Sequence, residues 1–229
     1  MEAPPPDALR WLALGDSYTI GEGVAEGGRW PALLAGLLAA DGFPVGPPRI
    51  IATTGWTTDE LSTAMDLAEP LGRWELVSLL IGVNNQYRGR SVADYRGEFQ
   101  ALLKRALALA GDRPDRVLVL SIPDWGVTAF ATAQGRDATQ IADEIDQYNA
   151  AAADLCARHG VAFVDITPLS RERGGDVAML VDDGLHPSQA MYALWAEAAF
   201  PVVAQMLGAR PDANREVVPD AETGGITPR

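Results

Sequence analysis

Residues 76–81 read Leu-Val-Ser-Leu-Leu-Ile, an apolar run broken only by Ser78. A strand with one face in water alternates apolar and polar side chains. A near-continuous apolar run of this length instead fits a central strand of a parallel sheet, covered on both faces. Parallel neighbours must be joined by crossover connections, usually helices, and the chain supplies them. Strand-like runs at 10–14, 49–53, 116–121 and 161–166 alternate with helical patterns at 30–40, 58–68, 94–110, 138–158 and 188–207. Pro31 suits a first helical turn, Gly42 and Gly111 follow helix ends, and Thr57 or Thr58 is placed to cap the second helix. Pro201 is expected to kink or interrupt the last one. Five strands with intervening helices predict an α/β chain, a flavodoxin-like three-layer α/β/α sandwich of strand order 2-1-3-4-5. Residues 1–208 are expected to form one domain, with 209–229 an extended or mobile tail rich in Pro, Gly, Ala, Asp and Glu.

A chain of 229 residues with 48% hydrophobic content is long enough for one sizeable core. Its net charge of −13 argues against nucleic acid, whose binding depends on neutralising phosphates, and against an anionic membrane surface. The single cysteine, Cys156, excludes an internal disulfide and a cysteine-rich metal cage. Met1 to Asp7 shows neither a basic nor an apolar leader region, and no stretch reads as a membrane span, so a cytoplasmic protein is expected.

In an open α/β sheet, ligands bind beyond the carboxyl ends of the strands. The unusual polar and glycine residues collect there: Gly15-Asp16-Ser17 after strand 1, Thr53-Thr54-Gly55 after strand 2, and Gly82-Val83-Asn84-Asn85 after strand 3. Gly15 suits a tight turn, and Asp16 suits holding that turn through backbone hydrogen bonds. A serine hydroxyl needs a neighbouring base to become a nucleophile. Asp183-Gly184-Leu185-His186-Pro187, in the loop before the last helix, offers that base together with a carboxylate to orient it. Ser17 is therefore the candidate nucleophile, His186 the base and Asp183 its orienter. Asp182 competes for the last role, but the three-residue spacing favours Asp183. The other histidine, His159, precedes Gly160 at a helix C-terminus, where a cation suits the helix dipole, and is assigned a structural part. The Ser17 and Gly55 backbone amides and the Asn84 side-chain amide are candidate oxyanion donors.

These segments resemble the SGNH, or GDSL-type, hydrolase family, whose name records a serine, a glycine, an asparagine and a histidine. The matching residues are Ser17 in Gly15-Asp16-Ser17-Tyr18, Gly55, Asn84, and His186 with Asp183 before it, so the resemblance runs from the first strand to the last helix. It implies a Ser-His-Asp triad, three oxyanion donors, and hydrolysis of a small-molecule ester without metal or organic cofactor. Tyr18 replaces the leucine of the name motif. Asn85 stands where the family usually has aspartate, which leaves open how that loop is braced. Around Ser17 the Gly-x-Ser-x-Gly elbow of the α/β-hydrolases is missing.

Trp56 and Trp125 are expected at the crevice rim, with Phe130 adding apolar surface from a lid or wall over 126–137. The expected substrate is a short-chain, acetyl-type ester of a small or carbohydrate alcohol. The alternative is a lysophospholipase or thioesterase acting on longer chains. A flavin- or nucleotide-binding module is the reading from another class, but the chain has neither the lysine of a P-loop nor a dinucleotide fingerprint.

Overall fold

Five parallel strands, β1 (Trp11–Gly15), β2 (Arg49–Ala52), β3 (Leu76–Leu80), β4 (Val117–Leu120) and β5 (Ala162–Val164), form one sheet of order β2-β1-β3-β4-β5. This is the predicted order, seen in a computed structural model that describes residues 8–208; the predicted tail at 209–229 lies outside the described residues. Every residue of β1 and β3 is buried. The one polar side chain in the β3 run, Ser78, accepts the indole N–H of Trp11 at 3.0 Å, so burying it leaves that donor satisfied.

Among the described residues nine α-helices join or follow the strands: α1 (Ser17–Ile20), α2 (Trp30–Ala40), α3 (Thr58–Leu67), α4 (Val83–Tyr87), α5 (Val92–Leu109), α6 (Ala129–Ala133), α7 (Ala138–His159), α8 (Thr167–Arg173) and α9 (Gln189–Gly208). The pair α2 and α9 pack together, while α3, α5 and α7 form a second packed group. The five long helices and all five strands lie where the hydrophobic periodicity puts them, with ends displaced by one or two residues. The short helices α1, α4, α6 and α8 have too few residues to show a period.

Two expectations about α9 need correction. It runs unbroken through Pro201. Pro201 and Glu197, whose carbonyl loses its helical donor, are both exposed, while Trp195, Ala196, Ala199 and Val203 are buried in the core. Packing on one face thus holds the helix, and the proline defect lies on the other. At 20 residues α9 is also long and apolar enough to cross a membrane, by length and composition. Its apolar side chains are spent on the core formed with α2.

Register decides where the chemistry can gather. Gly15 of β1 stands opposite both Ala52 of β2 and Leu80 of β3. The segments that follow these strands therefore emerge side by side at one sheet edge. Gly15 stands at the tight strand-to-helix turn expected from sequence, and glycine is needed there for close approach, since its φ is not positive. A Cβ there would lie 2.2 Å from Thr19 Oγ1 and 2.5 Å from the Leu80 carbonyl oxygen.

Candidate active site

At that edge Asp16 caps α1, its Oδ1 accepting the Tyr18 N–H at 3.0 Å. This turns the chain abruptly from strand to helix and leaves Ser17 as the first helical residue. Ser17 borders a cavity of about 210 Å³ shared with Tyr18, Thr54, Gly55, Asn84 and His186, among others. Among the described residues, no protein acceptor engages the backbone N–H of Ser17 or of Gly55.

His186 reaches the same cavity from the loop before α9. Its Nδ1 lies 2.6 Å from Asp183 Oδ2. Asp183 Oδ1 accepts two backbone N–H groups, from Leu185 at 2.8 Å and from His186 at 2.9 Å. One carboxylate thus shapes the turn and holds the ring. Burial raises the Asp183 pKa, but the His186 ring and the two backbone donors outweigh it and hold the group below its usual value. Asp182 has no part in this arrangement. The imidazole is steadied from below by Tyr18, whose ring meets it edge-on at 6.0 Å between centroids and meets Trp195 at 5.9 Å. Burial, helped by the carboxylates of Asp16, Asp124 and Asp183, raises the Tyr18 phenol far above its ordinary value, so it stays neutral. No hydrogen bond joins Ser17 to His186 among the described residues; such contacts are often long without substrate and tighten in its complex.

Gly55 has φ +88° and closes a turn in which the Trp56 N–H reaches the Thr53 carbonyl at 3.3 Å, a type II turn that needs glycine at this position. The Gly55 carbonyl is held by Arg88 Nη2 at 2.6 Å, and Arg88 Nη1 contacts Glu60 Oε1 at 3.3 Å. Glu60 in turn accepts the Thr57 N–H at 2.8 Å, completing the capping box of α3. Sequence reasoning missed Arg88 and Glu60, because they act on the Gly55 peptide only through the fold. Asn84 Nδ2 donates to the Trp56 carbonyl at 2.9 Å, which fixes the amide at the cavity wall and leaves its second hydrogen unassigned.

Asn85 answers the question of bracing. Its Oδ1 accepts the Thr58 N–H at 3.1 Å, and its Nδ2 donates to Thr58 Oγ1 at 2.6 Å and to Glu98 Oε2 at 3.3 Å. A carboxylate at position 85 offers no donor to Glu98 and would set two like charges together. The neutral amide fits because the negative charge is supplied from α5, by Glu98, which also accepts from Thr58 and pairs with Arg90.

Trp125 and Phe130 line the cavity as expected. The Trp125 indole donates to Gln86 at 2.8 Å, and the Phe130 N–H donates to the Gly184 carbonyl at 3.1 Å, tying the wall to the histidine loop. Trp56 is a correction: beyond the turn at Gly55, its side chain joins Asp59, Glu60 and Leu67 in a separate recess along α3. Only its carbonyl serves the site. Tyr87, on the same helical face as Asn84, was missed and takes the aromatic place, packing against Trp125 at 5.4 Å between centroids. His159 ends α7 before Gly160 and does not border the cavity.

A sequence profile of the GDSL-like lipase/acylhydrolase family matches residues 13–194. The chain belongs to that family. The match runs from β1 into α9 and so includes every segment that borders the cavity. A search of curated proteins gave no match to this GDSL-like chain. Its fold is shared with solved structures of low identity. TesA is 20% identical with a TM-score of 0.68, over 86% of this chain and 99% of that one. The acetylxylan esterase Axe2 of Geobacillus stearothermophilus is 20% identical with a TM-score of 0.65, over 85% and 94%. The psychrotrophic esterase EstA of Pseudoalteromonas sp. is 15% identical with a TM-score of 0.67, over 87% and 98%.

Asp16 gives this GDSL-like site a pH signature. It is fully buried, and among the described residues its Oδ2 has no hydrogen-bond partner. Burial pushes its pKa from 3.8 up to about 7, against the opposing N–H donors of Tyr18, Asp16 and Gly82. Between these values the folded protein keeps a proton that the unfolded chain has lost, so stability falls as pH rises. Asp16→Asn has no such proton. The stability of Asp16→Asn relative to wild type is expected to grow by ~1.4 kcal/mol per pH unit between about 4 and 7. Urea unfolding of both proteins at pH 5 and pH 7.5 checks this; an equal difference at the two pH values contradicts it.

Proposed function

We propose that the protein is a serine ester hydrolase acting through an acyl-enzyme on short acyl esters of small or carbohydrate alcohols. The observation that carries this reading is the 2.6 Å contact of His186 with Asp183 at the wall of the cavity that Ser17 also borders. Asp183 accepts the Nδ1 proton, which leaves Nε2 free to take the Ser17 proton as Oγ attacks the ester carbonyl. The Oγ–C bond forms, and the carbonyl electrons move to an oxyanion held by the amides of Ser17, Gly55 and Asn84. Each such donor is worth ~10²–10³ in turnover. His186 then protonates the leaving alcohol, and water repeats the cycle to release the acid.

Cavity size supports a small substrate. About 210 Å³ falls below the ~300–1,000 Å³ of sites that enclose drug-sized ligands. The likeness to an acetylxylan esterase points the same way. A panel of p-nitrophenyl acyl esters of increasing length, run beside acetylated sugars, tests the reading. The expected order is acetate and butyrate well above octanoate and longer. The reverse order assigns the site to longer acyl chains and overturns the short-chain proposal.

A further inference from the structure

Tyr87 and Trp125 carry a cation as well as forming the aromatic wall. The Arg136 guanidinium carbon lies 5.4 Å from the Tyr87 ring centroid and 5.3 Å from that of Trp125. Both rings border the cavity. Arg136 is exposed, and among the described residues its guanidinium makes no ion pair and no hydrogen bond to protein. Guanidinium groups present up to five N–H donors in a planar fork that matches carboxylate or phosphate.

Its placement is fixed by the backbone. The Arg136 N–H donates to the Ala131 carbonyl at 3.1 Å and the Gly135 N–H to the Thr132 carbonyl at 3.0 Å, with Gly135 at φ +62°. This pair of bonds is a Schellman cap that ends α6. The next residue, Asp137, caps α7 by accepting from Thr139 at 2.9 Å and Gln140 at 3.2 Å. Arg136 is therefore held between two helix ends, with only its side chain free to adjust. The carboxylates around this wall are already engaged. Asp137 serves its helix, Glu144 accepts from Gln86 and Gln140, and Asp183 holds His186. In a chain of net charge −13, this leaves a cation with no acidic partner among the described residues, stacked on two rings of the cavity wall.

We infer that Arg136 selects esters that carry an oxyanion, a carboxylate or a phosphate, which its guanidinium binds while the ester carbonyl lies at Ser17. The inference rests on the ester-hydrolase reading and adds the charge of the substrate to it. Phenyl-ester pairs that differ only in charge test it. One pair places the anion in the alcohol, 3-acetoxybenzoate against 3-acetoxybenzamide. The other places it in the acyl group, monophenyl adipate against phenyl adipamate.

Wild type is expected to favour the anionic member of at least one pair by ~2- to 5-fold in kcat/KM, an advantage that shrinks in high salt. Arg136→Gln should lose that advantage while hydrolysing the neutral members as wild type does. Absence of any preference in wild type, its persistence in Arg136→Gln, or an equal fall on both members of a pair overturns the inference. In the last case Arg136 only props the wall. Hydrolysis of neither member by wild type would instead count against the ester-hydrolase reading, so the two failures are distinct.

Discussion

Ser17→Ala is expected to lower kcat/KM for the preferred ester by at least ~10⁴-fold, and His186→Ala by a comparable factor. The double variant should be no more than about tenfold worse than either single one. A nucleophile and its base act as one unit, so once the hydroxyl is gone the imidazole has no proton to take. Residual turnover then comes from substrate binding and the oxyanion donors, which both substitutions leave in place. The fold should be nearly unaffected by Ser17→Ala, because its hydroxyl makes no hydrogen bond among the described residues. Steady-state kinetics on the four proteins, with unfolding curves to confirm folding, checks the outcome. Losses that multiply in the double variant would mean that the two side chains contribute separately.

Asp183→Asn should cost ~10⁴-fold in kcat while the loop keeps its shape. The structure specifies which way the new amide must face. Oδ1 of Asp183 receives the backbone N–H groups of Leu185 and His186, and Oδ2 meets the imidazole. An amide in this position keeps its oxygen toward the two backbone donors, which turns its NH₂ group toward Nδ1. The ring must then accept at Nδ1 and carry its proton on Nε2, the nitrogen that should receive the proton of Ser17. Asp183→Ala removes both the orienter and the acceptor of the turn, so it should lose stability as well as activity. A fall of less than tenfold in Asp183→Asn, with the protein folded, would show that the carboxylate does not set the tautomer.

Much of this was legible in the sequence, and the physical reason differs by element. The sheet could be read because buried parallel strands and long amphipathic helices repeat their patterns over many residues, so β3 and α7 appear at nearly their observed limits. Pro201 does not interrupt α9: local helix chemistry alone does not weigh the packing of Trp195 and Ala199 against it. The meeting of Ser17, Gly55, Asn84 and His186 at one cavity was legible because their segments follow strands or precede a helix at recognisable spacings. Trp56 was misplaced because the direction of a side chain after a turn depends on the turn's dihedral angles. Tyr87, Arg88, Glu98 and Arg136 stayed hidden for a related reason. They act across the site on residues distant in the chain, and nothing in their own surroundings marks them.

Intact mass and peptide mapping after brief exposure to a fluorophosphonate test whether Ser17 is a nucleophile activated by His186. One phosphonyl adduct on the peptide containing Ser17, formed by wild type and not by His186→Ala, is the predicted result. An unlabelled wild-type protein, or an adduct on any other residue, would contradict it.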